Sequence, residues 1–316
     1  MRIVCFFLII FLIGNANSQA WPSKPLKLIV PFPPGGGTDL TSRSVAAKLG
    51  EALGQPVVIE NRPGAGGTIG ADAVAKAAPD GYTIGTATSS THPAAVALQK
   101  DVPYDPVKSF APITRIGSTS FVLLGTTGLP ASNLAELVAY AKANPGKLNV
   151  ANVGPSTLGF LMTLQFRALT GTAMTDIYYK GSSQVYPDLI SGQIQLFLDN
   201  PGASTPLVTA GKLKAFGVTT PTPSIPGVPL FADAGLKGFD ADFWYGLVAP
   251  AGTPKAIVDR IQSEVAKYVH SPEGHKEFAA RSLVPGGDTP EQFARVIQTE
   301  MERFRALAGQ FNLKPQ

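Results

Sequence analysis

The chain has 316 residues, with 26 Lys and Arg against 22 Asp and Glu for a formal net charge of +4. Only 15% of its residues are charged, against roughly 25% in ordinary soluble domains. The basic residues are scattered rather than clustered, which excludes the electrostatic footprint of a nucleic-acid binder. The single cysteine, Cys5, leaves the rest of the chain without disulfides, zinc thiolates or a Cys nucleophile.

At the N-terminus, Met1-Arg2 is followed by an apolar run over residues 3–13 and a small, polar exit with Ala16 and Ser18 spaced as at a cleavage site. This is the form of a secretory signal over residues 1–18, cut after Ser18 or, as a second choice, after Ala20. The run is shorter than the roughly 20 apolar residues a spanning helix needs. Cys5 sits early in the run, not at its end where a lipid-bearing cysteine belongs. Losing Arg2 with the leader brings the net charge to +3, and the expected location is the periplasm.

Beyond the leader, a strand over 26–32 meets the turn Pro33-Pro34-Gly35-Gly36-Gly37. Thr38 or Asp39 caps a helix there whose apolar stripe is Val45, Leu49, Ala52 and Leu53, and Gly54 stops it. A strand over 56–61 ends in Arg62-Pro63-Gly64-Ala65-Gly66-Gly67, a helix covers 68–78, and Asp80-Gly81 turns into a strand over 82–87. The same order returns later: strand 148–153, turn Gly154-Pro155-Ser156, helix 157–169 stopped by Gly171, and strand 176–179. Lys180-Gly181-Ser182, a short helix through Tyr186 and Leu189, and strand 194–198 complete it. Strand–turn–helix units in series predict parallel sheets, and the repetition predicts two similar α/β lobes. The first lobe is expected over 19–120 and the second over 121–225. Residues 226–316 return to the first lobe and end in helices, with crossovers near 117–123 and 220–242. Thr289-Pro290-Glu291-Gln292 reads as a capping box opening a helix that carries Phe293, Val296, Ile297, Met301, Phe304 and Ala308 on one face.

In parallel α/β sheets ligands gather beyond the carboxyl ends of the strands, among helix N-termini. Two glycine-rich turns stand at that edge of the first lobe, Gly35-Gly36-Gly37-Thr38 and Gly64-Ala65-Gly66-Gly67-Thr68. Glycine lets the backbone approach a ligand closely, and free N–H groups at a helix start favour an anion. The hydroxyls of Thr38, Thr68, Ser89, Ser90 and Thr91 stand at the same edge. His92, at a strand end, is either a ligand contact or a local hydrogen-bonding residue. Gly64, Gly66 and Gly70 resemble a dinucleotide turn only loosely, since Pro63 fills the turn and a ribose-binding acid is missing. The sequence holds no nucleophile elbow, phosphate-binding loop or H-E-x-x-H pair, so no catalytic residue, metal or cofactor is expected.

The run from Trp21 through Pro31-Phe32-Pro33-Pro34-Gly35-Gly36-Gly37-Thr38-Asp39 resembles the substrate receptors of tripartite tricarboxylate transporters, the Bug (TctC-like) family. Further matches are Glu60-Asn61-Arg62-Pro63-Gly64-Ala65-Gly66-Gly67, Ala78-Pro79-Asp80-Gly81-Tyr82, Pro103-Tyr104-Asp105-Pro106 and Ala143-Asn144-Pro145-Gly146-Lys147-Leu148. Tyr179-Lys180-Gly181-Ser182, Asp199-Asn200 and Ala249-Pro250-Ala251-Gly252-Thr253-Pro254 extend the match over essentially the whole chain beyond the leader. The resemblance implies a type II periplasmic-binding-protein fold, a hinged two-lobed monomer that hands a small carboxylate to inner-membrane subunits of the tripartite tricarboxylate type. It further implies a carboxylate grip from residues 32–39 and 63–68, faced from the second lobe by Ser156, Thr157, Phe160, Lys180, Gly181 and Asp199. Alternative readings are a receptor feeding a signalling system and an enzyme acting on a small acid. Where the family often has a serine pair and a histidine after Gly154, this chain has Leu158, Gly159 and Phe160. Leu158 and Phe160, with Trp244 and Tyr245, are therefore expected to cover an apolar or aromatic tail, which favours a monocarboxylate over a citrate-like acid. Asp199 either caps a turn beside Asn200 or pairs with a ligand ammonium.

Overall fold

The computed structural model describes residues 21–310; the expected leader, its expected cleavage site and Cys5 lie outside the described residues. The first lobe contains β1 (Leu26–Val30), α1 (Gly37–Leu53), β2 (Val57–Asn61), α2 (Thr68–Ala75), β3 (Thr83–Thr88), α3 (Ala95–Leu98) and β4 (Phe110–Thr119). The chain then crosses through Ser120 and Phe121 to β5 (Val122–Thr126), α4 (Leu134–Ala143), β6 (Asn149–Asn152), α5 (Leu158–Thr170) and β7 (Thr175–Tyr178). The second lobe continues with α6 (Ser182–Ser191), β8 (Leu196–Asp199), α7 (Pro201–Thr209) and β9 (Leu213–Val218). Residues 219–242 lead back to β10 (Phe243–Pro250), α8 (Lys255–Val269), α9 (Pro272–Ala280), β11 (Leu283–Pro285) and α10 (Pro290–Gln310).

Two mixed sheets result, ordered β11-β4-β10-β3-β1-β2 and β7-β6-β8-β5-β9. In each sheet three strands run parallel, and the strand that arrives from the other lobe inserts antiparallel beside the third. β10 lies between β3 and β4, and β5 lies between β8 and β9. Leu28 and Val150 therefore belong to different sheets, as the repeated strand–turn–helix order predicts. Both inserted strands are buried along their whole length, which fits their central places.

Local signals set the helix limits. Gly54, Gly171 and Gly192 each end a helix in the left-handed conformation, at φ 68°, 64° and 82°, where a Cβ would be strained. Thr289 and Gln292 form the reciprocal box read from the sequence. The Thr289 N–H donates to Gln292 Oε1 at 2.8 Å, and the Gln292 N–H donates to Thr289 Oγ1 at 3.2 Å. Phe293, Ile297, Phe304 and Ala308 bury one face of α10, with Phe293 standing edge-on to Trp244 of β10. Among the described residues, no helix is long and apolar enough to cross a membrane.

Candidate functional site

The sheets bring their strand ends together across a cavity of ≈ 40 Å³. That volume accommodates a few waters, so the two lobes stand in close contact. Across the cleft the Leu158 N–H donates to Ser90 Oγ at 3.1 Å, and Gln99 Nε2 donates to Ser156 Oγ at 2.5 Å. The Tyr245 hydroxyl donates to Asn200 Oδ1 at 3.4 Å.

Four helix N-termini ring the cavity. α1 contributes Gly36, Gly37 and Thr38, α5 contributes Thr157 and Gly159, α6 contributes Ser182, and α7 contributes Asn200. The first N–H groups of a helix lack partners within it, so each terminus is a local source of positive potential. The termini differ in what already occupies them. α1 has no side-chain cap, because Gly36 holds the cap position. α5 is capped by Thr157, whose Oγ1 accepts from the Phe160 N–H at 3.3 Å. At α6 and α7 stands Asp199, only 8% exposed, accepting from Ser182 Oγ at 3.0 Å and the Tyr186 hydroxyl at 2.7 Å. Burial pushes the Asp199 carboxyl up to about 6, opposed by the hydrogen bonds from Tyr186, the Asn200 N–H and Ser182.

The remaining walls are apolar. Phe121, just before β5, and Phe243, the first residue of β10, meet edge-on with ring centres 5.8 Å apart, and Phe32, Val153 and Leu198 complete the apolar lining. Asp199 is the one lining residue with a side chain that ionises near neutral pH; Lys, Arg and His contribute nothing to the walls described.

Of the residues expected from sequence, Phe32, Gly36, Gly37, Thr38, Ser90, Thr157 and Asp199 line this cavity. Others stand at the lobe contact. Gly66 backs onto Ser156 and Thr157, Gly154 onto Gly66, and Gly181 onto Pro33. The second glycine loop is thus the rim where the lobes touch: Gly67 packs beside Phe32 and Thr91, Thr68 Oγ1 donates to Ala65 O at 2.9 Å, and neither Pro63 nor Gly64 lines the cavity. Pro34 and Gly35 are exposed at the first turn, where the Gly35 N–H donates to Asp39 Oδ2 at 2.9 Å.

Several expectations need correction. The Asp39 carboxylate turns into the first lobe, held by Arg43 Nε and Asn61 Nδ2, both at 2.9 Å. Burial raises the Asp39 carboxyl, but Arg43, the Gly35 N–H and Asn61 together hold it below the usual carboxylate range. His92 is a core residue, its ring 4.7 Å from Phe110 and its Nδ1 3.0 Å from Thr91 Oγ1; burial pushes it down to about 3, so it stays neutral. Ser89 Oγ accepts from the Trp244 N–H at 2.9 Å, within the lobe. Lys180 is exposed and does not line the cavity. Phe160 and Leu158 are buried but turned away from the cavity, with the Phe160 ring 6.0 Å from Tyr178. Trp244 points back to Glu300 of α10. The apolar surface expected of Phe160, Leu158 and Trp244 comes instead from Phe121, Phe243, Val153 and Leu198. Sequence reasoning missed these, with Ser182 and Asn200. The one available signal was a phenylalanine at the entry to each crossover strand, Phe121 just before β5 and Phe243 at the start of β10.

Comparison with known proteins fits this geometry. The profile of the tripartite tricarboxylate transporter family receptor matches residues 41–313. Protein BugT of Bordetella pertussis is 34% identical over 302 residues, covering 94% of this chain and 92% of its own. Among solved structures, that of R. palustris Rpa4515 with adipate superposes with TM-score 0.91 at 34% identity, over 94% of this chain and 100% of that one. MatC (Rpa3494) from Rhodopseudomonas palustris with bound malate gives 0.87 at 32% identity, over 91% and 99%. The periplasmic binding protein BugD gives 0.90 at 31% identity, over 94% and 100%. The chain belongs to the receptor family of the tripartite tricarboxylate transporters.

Proposed function

We propose that this chain is an exported receptor that closes its two lobes on a small carboxylate and presents it to membrane subunits of the tripartite tricarboxylate type. The observation that carries the reading is the uncapped N-terminus of α1, whose Gly36, Gly37 and Thr38 stand in the wall of a cavity between lobes. A carboxylate there accepts charge-assisted hydrogen bonds from backbone N–H groups that otherwise lack partners. Adipate and malate in two structural neighbours support a carboxylate as the ligand class. The role is binding without chemistry. The ionisable lining side chain, Asp199, is held by three donors, and the neighbouring His92 is sealed in the core.

Mass spectrometry of the protein recovered from the periplasm, before and after unfolding, tests the assignment. The expected result is a small acid released in near-stoichiometric amount on unfolding. Release of a cation or sugar instead, with no acid bound, would overturn it.

A further inference from the structure

We propose that Gly159, in the first turn of α5, sets the length of acid that the closed cavity admits, by leaving to the ligand the space a Cβ would take. This rests on the carboxylate reading above and adds to it the residue that determines specificity at the second-lobe end of the same site.

Three glycines stand in the cavity wall, Gly36, Gly37 and Gly159. Two of them have a reason to be glycine. At Gly37 an added Cβ would lie 2.9 Å from the Tyr245 hydroxyl, so packing excludes a side chain. Gly36 holds the cap position of α1, where on the carboxylate reading a bare backbone keeps the helix N–H groups open. Gly159 has neither reason. Its φ lies outside the left-handed region, and in a helical turn Ala is favoured over Gly by intrinsic propensity. Packing does not demand a glycine either. An added Cβ would meet Leu198 O at 3.5 Å, Phe121 Cε1 at 3.8 Å and Thr157 Oγ1 at 4.0 Å, all ordinary van der Waals separations. Those three residues line the cavity, so the Cβ would stand on the cavity side of the helix, in space the protein leaves unfilled. Leu158 and Phe160, on either side, are buried and absent from the lining. None of Gly159, Phe121 and Leu198 lies in a segment that carries the family resemblance. An acid anchored at the start of α1 reaches across the cavity, and its last carbon settles against the bare Gly159 backbone between Phe121 and Leu198. A Cβ there would make the best-fitting acid one carbon shorter. This holds whether the far end is a methyl, a ring edge or a second carboxylate, because a Cβ displaces each alike.

Calorimetric titration of the native protein and of Gly159→Ala tests this with three homologous series: linear monoacids, linear diacids and phenyl-terminated acids, each lengthened one methylene at a time. The native protein is expected to show a length optimum in whichever series it binds. In Gly159→Ala the optimum should move one carbon shorter. The best native ligand should lose about tenfold or more, as for one misplaced methylene in a packed pocket, while its next shorter homologue loses less than about twofold. Thermal melting is the folding control, with a Tm unchanged or raised because Ala is the better helix former. Equal loss at every length, unchanged affinities, or a native protein indifferent to length would overturn the gauge and leave the carboxylate reading intact. No acid of any series bound by natively folded protein would overturn both. A crystal structure of the native protein with its best homologue decides the question even if Gly159→Ala fails to fold. The far end of the acid is expected within about 4.5 Å of Gly159 Cα, and a far end lodged elsewhere would overturn the proposal.

Discussion

At Gly36 the backbone is extended, φ −82° and ψ 167°, and an added Cβ would meet nothing nearer than Pro33 O at 3.9 Å and Ser182 Cβ at 4.0 Å. The fold therefore has room for a side chain here, and on the proposed reading the residue's value lies in leaving the α1 N–H groups open to a ligand. Gly36→Val is expected to keep its melting temperature but obstruct that approach. Losing one or two hydrogen bonds to a charged group costs about 1.5–3 kcal/mol each, or roughly ten- to a hundredfold or more in affinity by calorimetry. Gly66 is a poorer probe, because its φ of 65° adds strain and its side-chain space is taken by Ser156. A second residue-scale expectation concerns stability. Glu300 accepts from the Trp244 indole N–H in the core, and burial pushes its carboxyl up to about 7. Between its ordinary value of 4.5 and that point, the folded state holds the proton more tightly than the unfolded one. Its contribution to stability is therefore present at low pH and lost as pH rises through the window. The loss is on the order of 3 kcal/mol by linkage, with Arg303, Arg115 and Asp242 also acting on the group. Glu300→Gln keeps the acceptor and removes the charge. It should raise the melting temperature at pH 8 and change it little near pH 5.

At the scale of elements, α5 shows what sequence reading can and cannot reach. Its limits were legible, since Thr157 caps it and Gly171 stops it, both through contacts a few residues long. Its rotation was not. Leu158, Phe160, Leu161, Met162 and Phe166 are all buried, so the helix is apolar nearly all round and its periodicity gives no phase. Gly159, with no apolar signal, is the residue that reaches the cavity, and Phe160 points toward Tyr178 instead. Phe160→Ala should then cost about 3–5 kcal/mol in urea unfolding, as for other buried aromatic truncations. The affinity and selectivity of whatever protein remains folded should be unchanged, which would not hold if the ring lined the site. The same contrast separates the Thr289–Gln292 capping box, read correctly from four adjacent residues, from the Phe121–Phe243 wall. Those two rings lie at the entries to different crossover strands and meet only once both sheets have formed. That the first glycine turn stands in the cavity wall was legible because βα turns of a parallel sheet end at that edge. Assigning the second turn to the rim required knowing how the lobes meet.

In the whole molecule, the reciprocal exchange of β5 and β10 ties the lobes together through two crossovers that meet behind the cavity. The polar contacts described across the cleft are Leu158 to Ser90, Gln99 to Ser156 and Tyr245 to Asn200, which on the proposed reading are released when the lobes part. A ligand then adds its own contacts to both faces and shifts the balance toward the closed form by its preference for it. The account's central claim is that the ligand is anchored by a carboxylate on the first lobe, at the start of α1. A crystal structure of the protein with the acid it releases on unfolding tests this most directly. The carboxylate oxygens are expected within hydrogen-bonding reach of the Gly36, Gly37 or Thr38 N–H groups, directly or through one water, with the far end of the molecule toward Gly159. A ligand whose carboxylate lies on the second lobe, or which leaves the α1 terminus facing only solvent, would contradict it.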